Sequence, residues 1–198
     1  MQPDDFETAR FNMVAQQIRP WEVIDERVLD ALQTVPREKF VDPEYVGLAF
    51  ADVAVPLGEG ESMMKPVQEG RMLQALDVQD GESVLEIGTG SGFMTACLSK
   101  LGGIVTSYEI IESLAAKGRD HLESGRYPNI ELVIGDALHA SLAPETFDVI
   151  AVTGSSPVYP KNLETLLKPN GRMFVVVGEE PAMQAMLVTR SETGEVWK

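Results

Sequence analysis

Two carboxylates and three glycines are the residues of this sequence whose spacing could do chemistry. The run Val84-Leu85-Glu86-Ile87-Gly88-Thr89-Gly90-Ser91-Gly92 carries an apolar stretch to an acid, then turns through alternating glycines toward a helix expected to begin near Phe93. A second apolar stretch, Ile104-Val105-Thr106-Ser107-Tyr108, also ends in an acid, Glu109. Glycines of this kind let backbone approach a ligand closely, and a strand-end acid receives ribose hydroxyls. Dinucleotide folds usually write G-x-G-x-x-G and aim amides at a pyrophosphate. Here the order is E-x-G-x-G-x-G, and an acid just before the turn is a poor neighbour for an anion. Beside a sulfonium or an ammonium it is favourable. The spacing therefore points to S-adenosylmethionine rather than to a nicotinamide dinucleotide. A plain β-to-α turn would use the same glycines, and Glu109 is what favours the ligand.

Two further segments belong to the same edge. Gly135-Asp136-Ala137 follows the third expected strand, where a carboxylate can accept from an exocyclic adenine amine or, more modestly, stabilise its own turn. The fourth strand opens into Thr153-Gly154-Ser155-Ser156-Pro157, a small-residue loop at the carboxyl edge where open α/β sheets bind ligands.

The elements that must hold these residues alternate from residue 83 onward. Strands are expected at 84–87, 104–108, 130–134, 147–153 and 173–177, with helices at 93–101, 111–122 and 161–167 between them. That alternation requires right-handed crossovers and gives an α/β fold, a doubly wound, mainly parallel Rossmann-like sheet. Ahead of it, helical spacing covers 6–18, then 28–35 behind an Asp25 cap, then a short helix from Pro43 and another over 67–76. Residues 51–66 read as an ordered loop. The expected division is a helical region with a substrate-side loop over 1–80 and a cofactor-binding core over 81–198. A final run, Met186–Thr189, reads as one arm of a hairpin whose second arm has barely begun when the sequence stops.

Composition narrows the partners. The 31 acidic and 16 basic residues of 198 give a net charge of −15, a field that repels nucleic acid and anionic membranes. A protein or peptide carboxylate substrate remains open. No apolar run reaches the roughly twenty residues of a membrane span, and the acidic start lacks the pattern of a signal peptide. The single cysteine, Cys97, allows no internal disulfide and suits a reducing cytoplasmic compartment. The two histidines, His121 and His139, stand apart, so no metal site is expected.

Across nearly its whole length the chain resembles the protein-L-isoaspartate O-methyltransferases. The resemblance rests on Met13–Arg19, Arg27–Ala31, Val35-Pro36-Arg37-Glu38-Lys39-Phe40-Val41, Leu48–Asp52 through Pro56-Leu57-Gly58, Leu85–Gly92, Tyr108-Glu109-Ile110, Gly135-Asp136 and Leu167–Arg172. It implies a class I methyltransferase fold, S-adenosylmethionine as donor, and methylation of isoaspartyl carboxylates in damaged proteins. The implied cofactor residues are Glu86, Gly88, Thr89, Gly90, Ser91, Gly92, Glu109, Ile110, Asp136 and Ala137. One departure stands out. The family's loop carries a Thr-Ile-Ser-Gln/Ala-Pro type motif with its serine beside the transferred methyl, and here the matching residues are Ser62-Met63-Met64-Lys65-Pro66. Met64 occupies the serine position, and a thioether donates no hydrogen bond. Ser62 is expected to replace that hydroxyl only through a rearranged loop, and Lys65 offers either a cation to the substrate or a solvated charge. With the serine lost, two alternatives stay open: another carboxylate or small-molecule acceptor, or a non-catalytic protein that binds the donor and regulates a partner.

Overall fold

The computed structural model describes residues 3–179 and 181–198. Its centre is a seven-stranded sheet in the order β5-β4-β3-β6-β7-β8-β9. The strands are β3 (Ser83–Ile87), β4 (Ile104–Glu109), β5 (Ile130–Ile134), β6 (Phe147–Ser156), β7 (Leu167–Glu179), β8 (Ala182–Arg190) and β9 (Val196–Trp197). The first five pair in parallel, and β8 and β9 run antiparallel. The order reverses between β3 and β6, which is where a doubly wound sheet opens a crevice at its carboxyl edge.

The central strands β3 and β6 are buried on both faces because apolar residues along the sheet alternate between two cores. Val84, Val105 and Val149 enter one cluster with Phe93, Leu98 and Met72, while Leu85 and Ile150 enter the other with Leu163, Leu167, Met173 and Val175. Side chains two apart share a face of a strand, so Glu86 lies on the side of Val84, under α4 (Phe93–Lys100).

The helical preface packs onto that same face. It comprises α1 (Pro3–Asn12), which passes into a π-helical turn over Met13–Ile18, then α2 (Glu26–Thr34) and α3 (Pro66–Leu76). Asp25 caps α2 as expected, its side chain accepting from the Arg27 amide at 2.8 Å. Met13, Ile18, Leu32, Leu73 and Leu98 are all fully buried members of one cluster, so a continuous core crosses from residues 1–80 into the sheet. Among the described residues no helix is long and apolar enough to cross a membrane.

Three expectations are corrected. The segment read as a loop over 51–66 contains a hairpin, β1 (Val55–Gly58) against β2 (Glu61–Met63), with Val55 opposite Met63. Gly58, Glu59 and Gly60 all take positive φ at its turn, and Val55, Leu57 and Met63 point into the core. The helix expected over 161–167 is a 3-10 segment, Lys161–Leu166. The strand expected over 186–189 is longer, running from Ala182 to Arg190 and pairing antiparallel with β7, and the short terminal hairpin expected from it forms as Thr189 against Trp197 and Arg190 against Val196.

Candidate active site

The glycine turn leaves β3 at Gly88 and enters α4 at Phe93. Its path is fixed from the neighbouring strand: the amides of Gly88 and Thr89 donate to the Tyr108 carbonyl at 2.8 and 3.2 Å. Gly88 has a φ of 103°, and a Cβ there would stand 3.0 Å from the Gly154 nitrogen and from Thr153 Oγ1. Only glycine lets β3 and the end of β6 come this close.

Glu109, at the end of β4, caps the crevice. Its Oε2 accepts from the Gly90 amide at 2.8 Å and its Oε1 from the Ile111 amide at 3.0 Å. Each carboxylate oxygen has a second acceptor site free, which a ribose diol can fill. Glu109 also pins the turn to the start of α5 (Glu112–Gly125).

Above these groups opens a cavity of 410 Å³ whose wall includes Gly88, Gly90, Glu109, Ile110, Asp136 and Ala137. That volume lies within the range of small-molecule sites. Six of the ten expected cofactor residues therefore meet on one wall. Asp136 is there, and its carboxylate also stabilises its own turn, accepting from the Leu138 amide at 2.8 Å and facing His139 Nδ1 at 2.6 Å. The hydrogen bond to His139 holds its pKa below the ordinary value. Thr89 and Ser91 face a smaller neighbouring cavity, and Gly92 packs against Gly118 and Leu122 of α5.

Glu86 reaches neither wall, which corrects the expectation of direct contact with a cationic donor. It is fully buried. Its Oε2 accepts from Thr95 Oγ1 at 2.5 Å and Ser107 Oγ at 2.6 Å. A hydroxyl has one proton, so with Ser107 donating to Glu86, Thr89 Oγ1 must donate to Ser107, 2.6 Å away. The chain Thr89–Ser107–Glu86–Thr95 thus ties the turn, β4, β3 and α4 together. Oε1 has no hydrogen-bond partner among the described residues, and burial pushes the carboxyl up to about 7.

The smaller cavity, of 50 Å³, lies between the turn and the β1–β2 hairpin. Ser62, Met63, Met64, Glu69, Thr89, Gly90 and Ser91 border it. Ser62, Met63 and Met64 stand in succession on its wall, at the end of β2 and just past it. Ser62 borders the larger cavity as well. Lys65 is exposed and lines neither.

Sequence reasoning missed what holds this end of the site. Arg37 is fully buried, pairs with buried Glu69, donates from Nε to the Ala49 carbonyl at 2.8 Å and from Nη2 to the Met64 carbonyl at 2.9 Å. Its guanidinium also lies 4.7 Å from the centre of the Phe93 ring. Burial pushes the Glu69 carboxyl up, and the Arg37 charge opposes that rise. The available signal was Glu69 itself, an acid on the apolar face of α3 that also carries Met72, Leu73 and Leu76.

Comparison with known proteins points to one family. The model of the family described as Protein-L-isoaspartate(D-aspartate) O-methyltransferase matches residues 9–198. A protein-L-isoaspartate O-methyltransferase of Aeropyrum pernix is 38% identical over 197 residues, covering 98% of this chain and 76% of that protein. Another from Koribacter versatilis is 38% identical over 191 residues, covering 96% and 86%. A Plasmodium falciparum structure described as a protein-L-isoaspartate O-methyltransferase in complex with S-adenosyl-L-homocysteine superposes with a TM-score of 0.80 at 18% identity. It covers 96% of this chain and 92% of that one, and that likeness establishes the fold.

Proposed function

The chain belongs to the protein-L-isoaspartate(D-aspartate) O-methyltransferase family, and on that premise we propose how its own residues divide the work. It is an S-adenosylmethionine-dependent carboxyl O-methyltransferase that acts on isoaspartyl residues of damaged proteins. The 410 Å³ cavity is our assignment for the donor, with the ribose hydroxyls on Glu109 and the adenine toward Asp136 and Ala137. Gly88 and Gly90 admit the donor by close backbone approach, and Ile110 borders its adenosine portion. Glu86, Thr89, Ser91 and Gly92 hold the turn from behind.

The donor supplies an electrophilic methyl group on sulfur. A carboxylate acceptor is already ionised at neutral pH, since an α-carboxyl has an ordinary pKa of about 3.5, so no general base is required. The protein must place the oxygen in line with the methyl and keep water away. Met63 and Met64 give the 50 Å³ cavity an adaptable apolar wall. The hydroxyl beside it is Ser62, whose side chain has no partner among the described residues, and we assign it the orienting hydrogen bond to the acceptor oxygen. Arg37 is a positioning residue that fixes the loop through the Met64 carbonyl.

The observation that carries this reading is the convergence of Ser62 and Met64 on a cavity bordered by Thr89, Gly90 and Ser91. The net charge of −15 supports a protein or peptide acceptor over nucleic acid, and one buried cysteine supports a reducing, cytoplasmic setting. The test uses labelled donor with an isoaspartyl peptide and its normal-aspartate twin. Methyl ester should form only on the first, and Ser62→Ala should lower kcat about 10-fold or more with donor affinity unchanged. Donor binding without transfer to either peptide would instead favour a regulatory protein of this lineage.

A further inference from the structure

A recess lined by bases and no acid runs against the field of a chain with a net charge of −15. One lies beside the last turn of α5, at the opposite end of that helix from the cavity assigned to the donor. It encloses 360 Å³, and Lys39, Lys100 and His121 line it together with Phe40 and Tyr127. No aspartate or glutamate is on its wall. The side chains of Lys39 and Lys100 are exposed and have no hydrogen-bond or ion-pair partner among the described residues. Elsewhere Arg10, Arg37, Lys117, Lys168 and Arg172 are each held by a carboxylate, while the side chains of Arg71, Arg119, Arg126 and Lys161 have, like these two lysines, no hydrogen-bond or ion-pair partner among the described residues.

The floor is fixed and aromatic. Phe40 is buried, with ring centres 5.6 Å from His121 and 6.1 Å from Tyr127. Two unpaired lysines on the wall of a recess that also carries aromatic rings suit an anion attached to a flat ring. The volume exceeds what a bare phosphate fills and lies in the small-molecule range.

The recess also touches the glycine turn. His121 Nδ1 is 2.9 Å from the Ser91 carbonyl. A carbonyl oxygen can only accept, so Nδ1 carries the proton and donates. Gly92 packs against Gly118 and Leu122 on the same helix. A shift of the imidazole is therefore transmitted to the turn that faces the donor.

We propose that this recess binds a small phosphomonoester carrying a flat ring, of the class of nucleoside monophosphates, with its phosphate on Lys39 and Lys100 and its ring on Tyr127, which Phe40 supports from beneath. Occupancy is coupled to the donor site through the His121–Ser91 hydrogen bond. The binding site stands whatever the acceptor of the reaction is; only the coupling depends on the donor assignment.

The probe is uridine 5′-monophosphate, titrated calorimetrically into the full chain saturated with S-adenosylhomocysteine, so that the donor cavity is filled. Uridine and inorganic phosphate serve as comparisons. The nucleotide should bind with a Kd below about 1 mM and at least about 10-fold more tightly than either fragment. Lys39→Glu with Lys100→Glu should abolish that binding and leave S-adenosylhomocysteine affinity, measured alone, within about 2-fold. Coupling predicts that the nucleotide changes S-adenosylhomocysteine affinity about 5-fold in either direction, an effect lost in the lysine double variant. Equal binding to the double variant, or no binding at about 10 mM, overturns the site. Phosphate binding as tightly as the nucleotide overturns the role of the aromatic floor, and an unchanged S-adenosylhomocysteine affinity overturns the coupling.

Discussion

Glu86 makes the stability of this protein depend on pH in a direction opposite to that of most acids. Burial pushes its carboxyl from the ordinary 4.5 up to about 7, against hydrogen bonds from Ser107 and Thr95 that favour the charged form, with the Glu109 charge adding to the rise. Above pH 4.5 the unfolded chain releases this proton while the folded chain keeps it until about pH 7. The native state then binds more protons than the unfolded one, so stability falls as pH rises through that window. A tenfold difference in proton affinity is about 1.36 kcal/mol, so the full rise corresponds to about 3 kcal/mol lost by pH 8. Glu86→Gln removes the ionisation and keeps one acceptor for the two hydroxyls. Urea unfolding of both proteins without donor, at steps from pH 4.5 to pH 8, isolates the effect because titrating groups that do not interact with Glu86 cancel in the difference. The stability of the variant relative to the parent should climb by about 3 kcal/mol from the acid end to the alkaline end. A difference that is flat within about 0.5 kcal/mol, or that slopes the other way, refutes a buried carboxyl pushed up by desolvation.

Other substitutions test the remaining supports. Gly88→Ala places a Cβ 3.0 Å from the Gly154 nitrogen at a φ of 103°; calorimetry should show S-adenosylhomocysteine affinity reduced about 10-fold or more, with about 1–3 kcal/mol of stability lost to backbone strain. Glu109→Gln weakens the bonds from the Gly90 and Ile111 amides and to the ribose diol together, so donor affinity should fall about 10- to 100-fold while far-ultraviolet dichroism is unchanged. Arg37→Met leaves Glu69 buried without its partner and should cost about 3–5 kcal/mol in urea unfolding. Adding Glu69→Leu should recover most of that loss, and an additive double variant would show that the two residues are not paired.

Local sequence carried the donor end of the site and much of the sheet. The alternation that places Val84 and Leu85 in opposite cores, the glycine turn and the Asp25 cap are all written within a few residues of where they act. The direction of Glu86 was also written there, since it shares a strand face with buried Val84 and must point under α4. Its type suggested a ligand contact, and the period-two rule shows why it becomes a strut. The β1–β2 hairpin left a weaker trace. Arms of four and three residues offer too few alternations to separate a strand from an ordered loop, and pairing is completed by burial of Val55 and Met63 in a core supplied by distant helices.

The acceptor end depends on contacts that no local pattern records. Arg37 and Glu69 meet across 32 positions of chain, and their meeting fixes the carbonyl of Met64 rather than its side chain. That distinction explains how a methionine can stand at position 64 without disturbing the loop: the backbone is gripped, and the side chain is free to vary. It also explains why the change leaves the donor wall intact, because Gly88, Gly90 and Glu109 are held from β4 and α5 and take nothing from position 64. Substitution at that position changes the wall of the 50 Å³ cavity and not that of the 410 Å³ one. Ser62, which borders the same cavity and whose side chain has no partner among the described residues, is the hydroxyl we assign to the acceptor.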